Sequence, residues 1–185
     1  MTKRALIIID LQNDYYSGGR FPLVNIDAAT ANAARVLDAA RAGGDLVVHV
    51  RHEFARDDAP FFAPGTEGAA INGAVAPRDG ETVVLKNAVN AFLNTDLKDV
   101  LDSNGVADVT IVGAMSHMCV DAATRASSDY GYRTTVVHDA VATRDLDFNG
   151  TTVPAAQVHD AAMAALAFAY AAVLSTDAYL GAPAA

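Results

Sequence analysis

Ala5-Leu6-Ile7-Ile8-Ile9-Asp10 is an unbroken apolar run, rich in β-branched residues, that ends abruptly in a carboxylate. A strand reads this way when both of its faces are covered and its carboxyl end emerges at the edge of a parallel sheet. The segment that follows supports the same layout. From Asn25 to Arg41 the apolar residues Ile26, Ala29, Ala33, Val36, Leu37 and Ala40 recur at helical spacing, and Gly43-Gly44 supplies a stop. Asp45 to Val50 reads as a second strand, Thr82 to Leu85 as a third, Val109 to Val112 as a fourth, Thr134 to Val137 as a fifth and Ala171 to Leu174 as a sixth. Helical patterns lie between them: Thr95 to Ser103, Cys119 to about Gly131, and Pro154 to about Phe168. This alternation predicts an α/β fold, a doubly wound six-stranded parallel sheet with right-handed crossovers and helices on both faces.

Between the second and third strands the stretch from Arg51 to Gly80 holds Pro60, Pro64 and Pro77 together with Gly65, Gly68, Gly73 and Gly80. It reads as a long irregular excursion, and such loops in compact domains are often functional. Its aromatics Phe54, Phe61 and Phe62 suggest a lid or a contact between subunits. The 185 residues fit a single domain, 1–180, followed by a short tail, 181–185. Hydrophobic residues at 52% against charged residues at 19% exclude a disordered chain. Thirteen Lys and Arg against 22 Asp and Glu give a net charge of -9, which repels phosphate backbones and anionic lipid, so neither nucleic acid nor membrane is an expected partner. The first apolar run is too short for a signal-peptide core, and one cysteine cannot form an internal disulfide, so the cytoplasm is the expected compartment.

In open α/β sheets ligands bind beyond the carboxyl ends of the strands. Asp10 ends the first strand, Lys86 ends the third, and Cys119 follows the fourth by a short turn and opens a helix. A helix N-terminus favours a thiolate, a carboxylate is suited to move a proton, and a lysine is suited to hold both. Each residue also has an ordinary alternative. A free cysteine often just packs, Asp10 alone is compatible with a helix cap or a ribose ligand, and Lys86 alone with a solvated side chain. A nucleotide or flavin module of similar topology would need a phosphate cradle after the first strand, and Ser17-Gly18-Gly19-Arg20 matches neither G-x-G-x-x-G nor the P-loop pattern.

Three segments, Asp10-Leu11-Gln12-Asn13-Asp14-Tyr15, Lys86-Asn87-Ala88-Val89-Asn90-Ala91-Phe92-Leu93-Asn94-Thr95 and Gly113-Ala114-Met115-Ser116-His117-Met118-Cys119-Val120, together resemble the isochorismatase-like cysteine hydrolases. The resemblance spans about Ala5 to Leu174. It implies a cysteine hydrolase without a cofactor that cleaves a C-N bond of a small amide, ureide or carbamoyl compound through an acyl-enzyme. Cys119 would be the nucleophile, Asp10 the general base and then acid, and Lys86 the group that orients them. A cis peptide between Ala114 and Met115 would leave the N-H groups of Met115 and Cys119 as an oxyanion hole. The resemblance also implies a homo-oligomer, dimeric or tetrameric. Tyr15, Phe21, Arg51 and His117 are candidate substrate-binding residues, each with ordinary packing or solvation as its alternative. The metal-dependent members carry Asp-x-His where this chain has Val50-Arg51-His52, so no metal is expected, although His52 and Glu53 keep the question open. Two further readings remain: an isochorismatase-type vinyl ether hydrolase, which would need Asp10 but not Cys119, and a catalytically silent member.

Overall fold

In the computed structural model, which describes residues 3–56 and 58–181, six parallel strands form one sheet. They are β1 (Lys3–Ile9), β2 (Leu46–His52), β3 (Thr82–Lys86), β4 (Val106–Ala114), β5 (Arg133–Ala142) and β8 (Ala172–Leu174), in the spatial order β3-β2-β1-β4-β5-β8. The chain winds outward from β1 to β3, returns to lay β4 on the other side of β1, and winds outward again. The reversal between β1 and β4 opens a crevice at their carboxyl ends.

Both faces are covered, as the unbroken apolar run predicts. Leu6 and Ile8 meet α1 (Ile26–Gly43), which buries Ile26, Ala29, Ala33, Val36, Leu37 and Ala40. Ala5, Ile7 and Ile9 face the opposite layer, built from α2 (Leu97–Ser103), α3 (Cys119–Asp129) and α4 (Ala155–Ala169). Among the described residues no helix is long and apolar enough to cross a membrane.

Three details depart from the sequence reading. The strands run longer than their most apolar segments, so Arg51 and His52 belong to β2 and the irregular excursion begins at Glu53; among its described residues are two single-turn helices, Glu67–Ala69 and Gly73–Val75. A small antiparallel hairpin, β6 (Leu146–Phe148) and β7 (Thr151–Val153), precedes α4. Its signal was Asn149-Gly150, both at positive φ as a two-residue hairpin turn requires. Gly181, assigned to a tail, instead closes a short helix, α5 (Thr176–Gly181); residues 182–185 of that tail lie outside the described residues.

One glycine fixes how closely the crevice walls approach. Gly113 lies at φ 132°, and a side-chain carbon built there would overlap the Ile9 carbonyl oxygen on the neighbouring strand. Gly113→Ala is therefore expected to lower stability by roughly 3 kcal/mol, through strain and forced separation of β1 from β4, as read by urea denaturation.

At the opposite end of the sheet Glu81 ties α1 to β2. Arg41 grips its carboxylate through both oxygens at 2.7 and 2.8 Å, His49 Nε2 lies 3.0 Å from it, and the Arg78 N-H donates to it. The Arg41 bond above all holds Glu81 down to about 2. A carboxyl depressed on folding stabilises the native state above its unfolded value, and that contribution drains away as the pH falls through the folded value. Acid titration of the wild type should lose this stability between about pH 4.5 and 2, whereas Glu81→Gln, less stable at neutral pH, should show a shallower loss over the same window.

Candidate functional site

β1 ends at Ile9, and Asp10 turns the chain with φ 53°. Lys86 is the last residue of β3, and Cys119 is the first of α3, reached from β4 through the turn Met115–Met118. All three side chains are buried. β1 and β3 are not neighbours in the sheet, so Lys86 must reach past the end of β2. Its four-carbon stem does so, placing Nζ 2.8 Å from Asp10 Oδ2 and 3.3 Å from Cys119 Sγ. The β2 residue in register with Lys86 is His52, whose Nδ1 lies 2.8 Å from the same ammonium. The Ala88 carbonyl accepts from it at 3.1 Å.

The angles sort these contacts. His52, Ala88 and Cys119 are placed for directed hydrogen bonds from Nζ. Asp10 Oδ2, as close as His52 at 2.8 Å, meets the same ammonium as an ion pair less well aligned than these. Burial pulls the Lys86 ammonium down, but Asp10 and Cys119 more than offset it and the group ends above the ordinary lysine value. For Cys119, burial first and the Asp10 charge second push the thiol up, with Lys86 opposing. Desolvation thus outweighs the thiolate-favouring helix N-terminus, and the resting group is a thiol. Burial, then the Lys86 charge, keep His52 neutral.

The turn before Cys119 contains the cis peptide Ala114-Met115. The Ser116 N-H donates to the Ala142 carbonyl, and those of Met118 and Val120 donate to the Met115 carbonyl. The N-H groups of Met115 and Cys119 have no backbone acceptor among the described residues.

A family model of the isochorismatase domain matches residues 4–178. This chain belongs to the isochorismatase family. A crystal structure described as an isochorismatase hydrolase from Oleispira antarctica superimposes with a TM-score of 0.94 at 54% identity, covering 98% of this chain and 97% of that one. The isochorismatase family protein YddQ of Bacillus subtilis is 45% identical over 176 residues, 95% of this chain and 98% of its own length. The maleamate amidohydrolase of Pseudomonas putida is 35% identical over 163 residues, covering 78% of this chain and 75% of that protein.

Within this isochorismatase-family hydrolase the segment after Asp10 latches the excursion to the sheet. The Gln12 side chain is wholly buried; its amide donates to the His52 and Ala69 carbonyls while its oxygen accepts from the His52 N-H, all at 2.8 Å. Asn13 donates to the Glu67 carbonyl, and the Asp14 carboxylate accepts from the N-H groups of Arg20 and Phe62. Gly68 passes so close to Asp14 that a side chain there would overlap the carboxylate. These roles lay inside the quoted motif, but residue type alone does not say that Gln12 serves backbone rather than ligand.

Of the expected substrate-binding residues, Tyr15 and Phe21 belong to an aromatic cluster with Phe61 and Phe62, and Arg144 lies over the Phe21 ring at 4.3 Å. Phe62 is fully buried and Phe54 and Phe61 partly so: within the chain these three, expected to form a lid or a contact between subunits, pack on Tyr15 and His52. Burial, with Asp10 and Cys119, pushes the Tyr15 phenol well up, so the cluster abuts the ionic centre. His117 Nδ1 lies 2.7 Å from Thr143 Oγ1. Arg51 is not brought to the centre. Strand alternation turns it to the face opposite His52, in register with the exposed Leu85, and its guanidinium lies 3.2 Å from Glu53. With Nδ1 of His52 facing an ammonium and Glu53 beside Arg51, neither is disposed as a metal ligand, and among the described residues no group of three His, Cys, Asp or Glu is.

Asp14 accepts through each oxygen, so Asp14→Asn turns an N-H donor toward another donor. The substitution should cost about 1–3 kcal/mol locally and speed proteolytic nicking within residues 53–80; unchanged resistance would show that the latch does not limit opening of this segment.

Proposed function

We propose that this protein hydrolyses a C-N bond in a small amide, ureide or carbamoyl compound, with Cys119 as nucleophile, Asp10 as proton carrier and Lys86 as the group that orients them. The reading rests on one observation: a single buried ammonium lies within 3.3 Å of both a carboxylate and a thiol. The likeness to an amidohydrolase supports amide rather than ether chemistry.

Because the thiol is protonated at rest, attack and proton transfer go together. Cys119 Sγ bonds to the substrate carbonyl carbon as its proton passes to Asp10. The carbonyl oxygen takes up the negative charge, and the free N-H groups of Met115 and Cys119 are the donors suited to it, each worth about 2.7–4 kcal/mol in such a role. Collapse expels ammonia or an amine, which carries off the proton from Asp10, and leaves a thioester. Water, deprotonated by Asp10, cleaves the thioester to the acid and restores the thiol. No cofactor enters these steps. The aromatic cluster around Tyr15 supplies an apolar wall for the rest of the substrate, and the single free thiol suits the reducing cytoplasm. A homo-oligomer is part of the same reading.

Ammonia release should be measured across nicotinamide, N-carbamoyl amino acids, maleamate and ureidoacrylate. Cys119→Ala and Asp10→Asn should each lower release by at least about a thousandfold. Turnover of an enol ether that survives Cys119→Ala but not Asp10→Asn would replace this reading with vinyl ether hydrolysis, and inertness towards every member of both panels would mark a silent member.

A further inference from the structure

An ammonium has three protons, yet Lys86 Nζ has four acceptors within 3.3 Å: Asp10 Oδ2, His52 Nδ1, the Ala88 carbonyl and Cys119 Sγ. His52, Ala88 and Cys119 are the better aligned three. Asp10, the only carboxylate of the four and one of the two nearest, must share the ammonium with them as an ion pair. A buried carboxylate normally collects hydrogen bonds, and each one stabilises its charged form and weakens it as a base. Whatever draws a Lys86 proton away from Asp10 therefore leaves it the stronger base. Ala88 is backbone, and Cys119 is the weaker acceptor while it remains a thiol. His52 is the side chain that takes the proton.

Its placement is enforced from three sides. Gln12 clamps both the N-H and the carbonyl of its backbone, β3 sets it in register with Lys86, and Phe54 packs against its ring at 4.9 Å. Facing a cation, Nδ1 presents its lone pair, so the ring proton sits on Nε2, which is buried without a partner. The ionisable groups that act on the ring are Lys86 on β3 and Asp10 after β1.

We propose that His52 is a positioning residue: by accepting one of the three Lys86 protons it loosens the hold of the ammonium on the Asp10 carboxylate and leaves that carboxylate available to take the proton of Cys119. The inference rests on the assignment of Asp10 as proton carrier, but it can be tested without turnover. Cys119 is the single cysteine of the chain, so alkylation by iodoacetamide reports on it alone. In that reaction the sulfur bonds to the reagent carbon, iodide leaves, and the thiol proton passes to Asp10.

His52→Leu frees a Lys86 proton for Asp10 and should slow alkylation at neutral pH by about tenfold, the worth of one charge-assisted hydrogen bond. His52→Asn, the same shape with an oxygen near the Nδ1 position, should restore most of the rate. In an Asp10→Asn background, His52→Leu should add nothing, because the base it tunes is gone. Equal slowing in both backgrounds, no slowing in either, or an Asn variant as slow as the Leu one would overturn the proposal. Should the Leu variant not fold, imidazole nitrogen NMR of the wild type decides: a His52 proton on Nε2 is expected, and one on Nδ1 would overturn it. An alkylation pattern as expected, with no ammonia from any amide, would sink the amidase reading alone.

Discussion

A lysine ammonium buried at the carboxyl edge of the sheet is the constraint that the rest of the molecule serves. Removing such a charge from water costs several kcal/mol, and a buried ion pair recovers this only with well-placed partners. Lys86 has them because three separate parts of the fold converge on one nitrogen: Asp10 from the end of β1, His52 from the end of β2, and Cys119 from the head of α3. Such a cluster adds little to stability compared with an apolar plug of the same volume. What it does is hold a thiol and a carboxylate on one buried ammonium.

The convergence follows from chain topology. Had the chain wound in one direction only, β1 and β4 would not be adjacent, and Asp10 would lie far from the turn that presents Cys119. The reversal brings them side by side, and Gly113 lets the two backbones approach closely enough for the side chains beyond them to meet. The fold and the chemistry thus depend on the same pair of strands.

Much of this was legible in the sequence, for physical reasons. Strands covered on both faces must be apolar throughout, so the six strands and four main helices announced themselves, and the polar residues at their ends, Asp10 and Lys86, stood out by contrast. Cys119 was visible as the first residue of a helix. Relations that depend on register and alternation were not visible. Nothing in Val50-Arg51-His52 says which side chain turns to the centre, and Arg51 was favoured over His52 for a substrate contact because charge is conspicuous and orientation is not. The burial of Phe62 was equally hidden, since an aromatic run in a loop looks the same whether it covers solvent or packs inward. The β6–β7 hairpin carries its turn signal in Asn149-Gly150, but strands of three residues are too short to show an alternating pattern.

The latch formed by Gln12, Asn13 and Asp14 grips the excursion mainly through backbone groups, the carbonyls of Glu67 and Ala69 and the N-H of Phe62, with side-chain bonds to Glu67 and Asn72 beside them. The backbone contacts are indifferent to the side chains carried by the gripped segment, Gly68 excepted. The path of the loop is thereby separated from its lining, and aromatic, polar or charged residues at positions such as 54 and 61 can be exchanged on an unchanged track. A scaffold of this design can change what lines the crevice by point substitution, with no need to rebuild the cluster of Asp10, Lys86 and Cys119 beneath it.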